Sequence, residues 1–393
     1  MRKLALSDEI LLKVDKAARY IGGEVNSVMK DKNEVEIRFA MCFPDVYEIG
    51  MSNLGMMILY NMFNQREDVW CERLFSPWPD LDKVMREKKI PLFALESQEP
   101  IRDFDFLGIT IGYEMCYTNI LQVLDLSGIP LKSADRGEDF PIVIGGGACA
   151  YNPEPLAPFF DLFYIGEGET VYDALFDAYK ANKKAGGSRR DFLLAAAKIP
   201  GIYVPSLYEV TYKEDGTIAS FAPTEAGVPE KVQKQLIIDM EKEYRAVEAP
   251  VVPHIKATQD RVTLEIQRGC IRGCRFCQAG MIYRPTRERD VETLKESARI
   301  MLKNTGHEEI SLSSLSSSDY SQLKELVNFL IEEFHGKAIN ISLPSLRIDA
   351  FALDVMSKVQ DVKKSSLTFA PEAGSQRLRD VINKGLTEEV ILH

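Results

Sequence analysis

Three of the seven cysteines fall within eight residues, in the run Arg268-Gly269-Cys270-Ile271-Arg272-Gly273-Cys274-Arg275-Phe276-Cys277. A C-x3-C-x2-C spacing can hold a metal centre, and the number of thiols decides the chemistry. A [4Fe-4S] cube on four cysteines is saturated, whereas three thiolates leave one iron open to an external bidentate ligand. Gly269 and Gly273 allow the tight backbone path that short spacing around a cube requires. Arg268, Arg272 and Arg275 offset the negative charge of a thiolate cluster. The competing reading is a structural zinc site with His254 as fourth ligand. Zinc motifs usually pair two short knuckles across a longer gap, and no second pair is present.

The amino and carboxylate groups of S-adenosylmethionine are suitable hard donors for an open iron. One electron from the cluster would break a carbon–sulfur bond of the sulfonium and release a 5′-deoxyadenosyl radical. On these residues the segment resembles the signature of the radical SAM superfamily, whose third cysteine usually follows an aromatic residue, here Phe276. The resemblance implies one [4Fe-4S] cluster, S-adenosylmethionine and a reducing electron donor such as flavodoxin or ferredoxin. It also implies that Phe276 lies against the adenine and that polar groups on later strand ends hold the rest of the cosubstrate. Ser313, Ser314, Ser345, Arg347 and Glu372 are the candidates. Glu372 lies in Ala370-Pro371-Glu372-Ala373-Gly374-Ser375, similar to the Glu-Ser-Gly-Ser stretch of radical SAM methylthiotransferases and cobalamin-dependent relatives. Read without the resemblance, this stretch is a capped helix with a surface glutamate.

Elements that would carry these residues follow from the hydrophobic periods. Val262, Leu264 and Ile266 alternate with polar neighbours and lead into the cysteine segment, as a strand should. A helix over 291–303 has Leu294, Ala298 and Met301 on one face. Three further strand and helix pairs are expected: 309–315 with 320–334, 338–346 with 351–359, and 365–370 with 376–384. Asp319 and Ser375 are placed as N-caps, Gly336 and Gly385 as helix stops. Four such units are too few to close a barrel, so residues 261–393 are expected to be an incomplete radical SAM core, and the chain a fragment of a longer protein.

Residues 1–183 alternate short apolar runs with helical patterns, the strands being 36–43, 106–112, 141–147 and 161–166 and the helices 51–63, 117–126 and 170–181. This predicts a doubly wound, Rossmann-like α/β domain. Two stretches resemble the cobalamin-binding domain that precedes the radical SAM core in one large subgroup. Asp45-Val46-Tyr47-Glu48-Ile49-Gly50 echoes an Asp-x-His-x-x-Gly signature with Tyr47 at the histidine position. The resemblance therefore implies at most cobalamin without a lower histidine ligand. Gly145-Gly146-Gly147, Pro153-Glu154-Pro155 and Ile165-Gly166-Glu167-Gly168-Glu169 complete the likeness, with Asp45, Tyr47, Gly50, Gly145 and Gly146 as its candidate cofactor contacts. The resemblance is to the uncharacterised members that carry a degenerate cobalamin-like domain.

Between the two domains, residues 184–260 read as a linker with a hairpin over 201–223, turning at Asp215-Gly216. Residues 1–20 read as an amphipathic surface helix. The chain has 393 residues, 45% of them hydrophobic, enough for two or three buried cores. Its net charge of −11 provides no global attraction to nucleic acid or anionic lipid. Arg284, Arg287, Arg289 and Lys295 are interleaved with acidic residues, a solvated helix entrance, and nucleic-acid binding is not expected. Neither a secretory leader nor a membrane span is legible, and the scattered Cys42, Cys71, Cys116 and Cys149 form no disulfide framework, so a cytoplasmic protein is expected. Two alternatives stay open beside a carbon-modifying enzyme of unknown substrate, acting by methylation or rearrangement. One is a methylthiotransferase with a second cluster on Cys42, Cys71 and Cys116; the other is a non-catalytic metal-stabilised scaffold.

Overall fold

A computed structural model of the chain describes residues 3–347 and 369–392. The chain divides into two compact units, Met1–Ile237 with Val251–Gln259, and Ile238–Pro250 with Asp260–His393. No helix among the described residues is long and apolar enough to cross a membrane.

The first unit is built on a six-stranded sheet. Its strands are β1 (Ile37–Phe43), β2 (Val69–Phe75), β3 (Phe106–Thr110), β4 (Ile142–Gly146), β5 (Leu162–Tyr164) and β6 (Ile202–Tyr203), in the order β2-β1-β3-β4-β5-β6. The first five are parallel and β6 closes one edge antiparallel. Helices on both faces bury β1 and β2 completely, which makes the unit doubly wound as the sequence predicts. Successive side chains of β1 enter different cores, Phe39 and Met41 one, Ala40 and Cys42 the other.

β2 was not legible as a strand because it carries Glu72 and Arg73. Both are buried and paired: Glu72 with Arg38 at 2.6 Å, Arg73 with Glu96 at 2.6 Å and Glu24 at 2.7 Å. Tyr60 donates to Glu96 at 3.0 Å and Tyr47 to Glu24 at 2.9 Å. Burial opposes ionisation of Glu24, but the charge and hydrogen bonds of Arg73 outweigh it and its carboxyl is held low.

Two further expectations for this unit are corrected. Among the described residues 3–20 there are only a short helix, Asp8–Leu11, and a 3-10 turn, Ala17–Arg19, because Arg19 is drawn under the surface to Glu48. Residues 184–260 are not a linker. Helix Arg189–Ala196 puts Phe192, Leu193 and Ala196 into the core beside Ile202, Val204 and Leu207. The hairpin is narrower than expected, β7 (Tyr208–Tyr212) with β8 (Ile218–Pro223), since Tyr203, in β6, pairs with Phe163 and Val204 leads into the turn Pro205–Leu207.

In the second unit β9 (Val262–Glu265), β12 (Glu309–Ser313) and β13 (Asn340–Ser342) form a parallel sheet in the order β13-β12-β9. Between β9 and β12 lies a separate antiparallel pair, β10 (Gln267–Arg268) with β11 (Arg287–Glu288). Helix Val291–Thr305 begins on an Asp290 cap and ends at Gly306; Leu294, Ala298 and Met301 face the sheet core with Leu326, Val327 and Leu330 of helix Leu323–Glu333. Asp319 caps no helix, because the chain first makes a turn to Gln322. Ser375 does cap helix Gln376–Val381, which stops short of residue 384. The expected helix 351–359 and most of strand 365–370 lie outside the described residues.

Glu48 provides a pH test. Burial raises its pKa, but hydrogen bonds from Arg19 and Lys16 prevail and lower it from 4.5 to about 2. That stabilisation is complete above the ordinary carboxyl range and is lost as pH falls through about 2. Glu48→Gln is expected to cost on the order of 1–3 kcal/mol at pH 7. In urea titrations at stepped pH, the gap to wild type should narrow only below about 4.5.

Candidate functional site

The cysteines sit where the first strand of the second sheet ends. Ile266 donates its N–H to the Ser313 carbonyl at the end of β12, at 3.0 Å, and its own carbonyl accepts Arg289 N–H, at 3.0 Å. The β10/β11 pair, Gln267 opposite Glu288 and Arg268 opposite Arg287, then closes the base of a loop over residues 269–286. Gly269 has φ +87, and a Cβ there would stand 2.5 Å from the Tyr283 carbonyl, so only glycine lets the two arms meet.

Cys270, Cys274 and Cys277 are partly exposed on this loop, while the other four cysteines are buried. Burial pushes the Cys42 and Cys71 thiols well above their ordinary range, as apolar packing does. The Cys277 sulfur accepts the Gly280 N–H at 3.3 Å at the start of helix Gln278–Ile282. In this conformation no three His, Cys, Asp or Glu side chains among the described residues converge closely enough to hold a metal. The thiols must turn toward one another to ligate one. The donor set fits an iron–sulfur cube with one open iron: three accessible thiols on one glycine-hinged loop, one already hydrogen-bonded through sulfur.

The three arginines of the motif are engaged elsewhere. Arg268 pairs with Glu265 at 2.8 Å, and Arg272 donates Nε to Asp319 at 2.8 Å. Arg275 gives its guanidinium to the Val381 carbonyl and its N–H to the Ile382 carbonyl, the latter at 2.9 Å. Burial opposes the charge on Asp319, but Arg272 and Ser316 outweigh it and hold the carboxyl below its usual range. The solvated entrance expected at Arg287 and Arg289 is also corrected: both are buried, and Arg289 lies 4.3 Å from the Tyr244 ring centroid.

The cosubstrate candidates divide into two groups. Arg347 reaches the Lys384 carbonyl at 3.2 Å, and Lys384 Nζ stands 3.4 Å from Glu372, so these two candidates meet at a lysine that sequence reasoning missed. Phe276 and Ser345 are exposed, whereas Ser313 is half-buried at the end of β12 and Ser314 bonds within its own turn, to Ser316 N–H at 3.0 Å. Asn383 was also missed; its side-chain amide donates to the Gly273 carbonyl at 2.9 Å. Nothing local marks either residue, since their partners are distant in sequence.

In the first unit the residues expected to contact a corrinoid do not form a cradle. Tyr47 is buried, its hydroxyl held between Glu24 and the His254 N–H. The His254 ring bonds the Gly22 carbonyl at 3.2 Å. A Cβ on Gly50 would stand 2.2 Å from the Phe75 ring, and one on Gly145 2.7 Å from Phe163. Asp45 accepts from the Tyr113 hydroxyl and the Val46 N–H. Of the three glycines, Gly146 alone would accept a Cβ without a clash, its nearest neighbour being the Tyr172 hydroxyl at 3.9 Å.

The molecule is thus defined first as a two-unit α/β protein that presents three thiols on a closed loop at the carboxyl end of a parallel strand. Residues 264–393 match the family model of the Radical SAM superfamily, and residues 55–205 match the model described as Radical SAM proteins, N-terminal. The chain belongs to the radical SAM superfamily. An uncharacterized protein of Methanocaldococcus jannaschii is 29% identical over 353 residues, covering 90% of this chain and 64% of that protein. A putative methylthiotransferase of the same archaeon is 28% identical over 137 residues, 33% of this chain and 30% of that protein. The radical S-adenosylmethionine methyltransferase TsrM from Kitasatospora setae, solved with tryptophan substrate and a SAM analog (aza-SAM) bound, shares the fold. Its TM-score is 0.50 at 13% identity, over 90% of this chain and 62% of that one. The chain therefore spans less than two thirds of the length of each.

Gly269→Ala should cost about 1–3 kcal/mol, because it combines a strained φ with a backbone clash. Gly280→Ala, whose Cβ would make an ordinary 3.5 Å contact with the Cys277 sulfur, should stay within about 0.5 kcal/mol of wild type in the same chemical denaturation series.

Proposed function

We propose that the chain is a radical SAM enzyme that binds one [4Fe-4S] cluster through Cys270, Cys274 and Cys277 and cleaves S-adenosylmethionine reductively. The resulting 5′-deoxyadenosyl radical would act on a carbon centre of the substrate, for methylation or rearrangement. The observation that carries this reading is the contrast among thiols: three accessible on one closed loop, four buried in the other unit's cores. When bound, a cluster with an open iron supplies the site for the cosubstrate's amino and carboxylate groups and the electron that divides it into methionine and the adenosyl radical. The chain's own residues hold the cosubstrate: Glu372, Lys384 and Arg347 present both charges next to one another, and Phe276 offers an exposed ring. The electron comes from an external donor of the flavodoxin or ferredoxin kind. Cysteines that are scattered through the cores or gathered on one loop, with no disulfide framework, fit a reducing, cytoplasmic compartment. The reading includes no cobalamin step, since the first unit spends most of its corrinoid-like residues on internal packing.

The methylthiotransferase reading, with its second cluster, is weaker on one observation. Cys71 packs in the core on one face of the sheet, whereas Cys42 and Cys116 pack in the core on the other, so the three cannot share a cluster.

Anaerobic reconstitution is expected to load about four irons per chain, with an electron paramagnetic resonance signal that shifts when S-adenosylmethionine is added. Cys274→Ala should show neither. Zinc in the loop, or a cluster signal indifferent to the cosubstrate, would refute the proposal. A count near eight irons would return the two-cluster reading.

A further inference from the structure

The β10/β11 pair secures only the base of the cysteine loop, and its middle is gripped by a different element. Helix Gln376–Val381 ends with carbonyls that have no partner inside the helix. Two of them are turned on the loop: Ile382 accepts Arg275 N–H at 2.9 Å, and Val381 accepts the Arg275 guanidinium. Asn383 follows with φ +56, a left-handed conformation that asparagine tolerates better than most side chains. That turn aims its side-chain amide at the Gly273 carbonyl, 2.9 Å away. The residues on either side of Cys274 are therefore both held from the helix end, Gly273 by Asn383 and Arg275 by Val381 and Ile382. The same short segment starts at the Ser375 cap three residues after Glu372, and Lys384, next to Asn383, pairs with Glu372.

From this geometry we propose that Asn383 is a positioning residue for Cys274, and that the segment from Glu372 to Lys384 is a bracket linking the cosubstrate-facing turn to the central cluster ligand. The proposal deepens the radical SAM reading and rests on it for the nature of the ligands. Its physical content is separable: without the Asn383 amide, the Gly273 carbonyl loses its donor and the backbone of Cys274 is released on one side.

The test uses Asn383→Gly, which keeps the left-handed turn and removes the amide, and Asn383→Asp, which keeps the shape and sets an acceptor against the Gly273 carbonyl. In the metal-free full chain, iodoacetamide labelling followed by mass spectrometry should show Cys274 alkylated about fivefold faster in both variants. Cys42 and Cys71 should stay protected, with the thermal midpoint within about 2 °C of wild type. After reconstitution both variants should lose the cosubstrate-induced spectral shift, or the iron itself. Wild-type labelling rates together with a wild-type spectral shift would overturn the proposal. So would a collapse of the thermal midpoint in both variants, which would make Asn383 a stability residue. If wild-type protein holds no cluster at all, the enzymatic reading fails, while the labelling contrast still decides the role of Asn383.

Discussion

Everything at the thiol site depends on one short closure, the two-residue antiparallel pairing of Gln267–Arg268 with Arg287–Glu288. Ordering a flexible loop of this size costs several kcal/mol of chain entropy, and the closing contacts must meet that before any ligand is bound. Only glycine at 269 lets the arms come together, because a side chain there would enter the Tyr283 carbonyl. Ile266 ties the closure to the end of β12 and so to the sheet. The loop is thus an extension of the parallel strands, and this is what puts its thiols at their carboxyl ends, where such sheets present ligand-binding groups.

The cysteine motif was legible because its chemistry is local: three residue types within eight positions are enough to count donors. The strands and helices around it were legible for the same reason, since Val262, Leu264 and Leu294, Ala298, Met301 repeat at the periods of their elements. Asn383 and Lys384 were not, because their roles come from contacts with Gly273 and Glu372 that no local pattern encodes. β2 escaped because Glu72 and Arg73 interrupt its apolar run, and their partners Arg38, Glu24 and Glu96 lie on other segments. A run of letters does not reveal that a charge is neutralised across space.

Glycines carry the least local information of any residue in this chain. In the first unit a series of them resembles a cofactor motif, and a missing side chain at a strand end reads equally well as room for a ligand or room for a neighbour. The structure resolves most of them to neighbours: Phe75 over Gly50, Phe163 over Gly145, the backbone of Gln235 against Gly166. The doubly wound fold is kept, with Gly50 and Gly145 making room for aromatic rings and Gly147 and Gly166 for close backbone approaches. Aromatic rings of this kind bury large apolar areas, so Gly50 and Gly145 contribute to the fold through the rings they admit.

The path of the chain between its two units has a consequence for how such proteins can be recombined. It enters the second unit at Ile238, returns to the first at Val251 and leaves it again after Gln259. The excursion is structural: the Tyr244 ring lies against Arg289, and Glu241 accepts from Asp290 N–H at 2.7 Å and from the Thr293 hydroxyl at 2.6 Å. A single genetic junction at residue 260 would leave these partners on the wrong side of the splice. The two units therefore alternate along the sequence, and an exchange of the second unit between relatives has to carry residues 238–250 with it and leave 251–259 with the first.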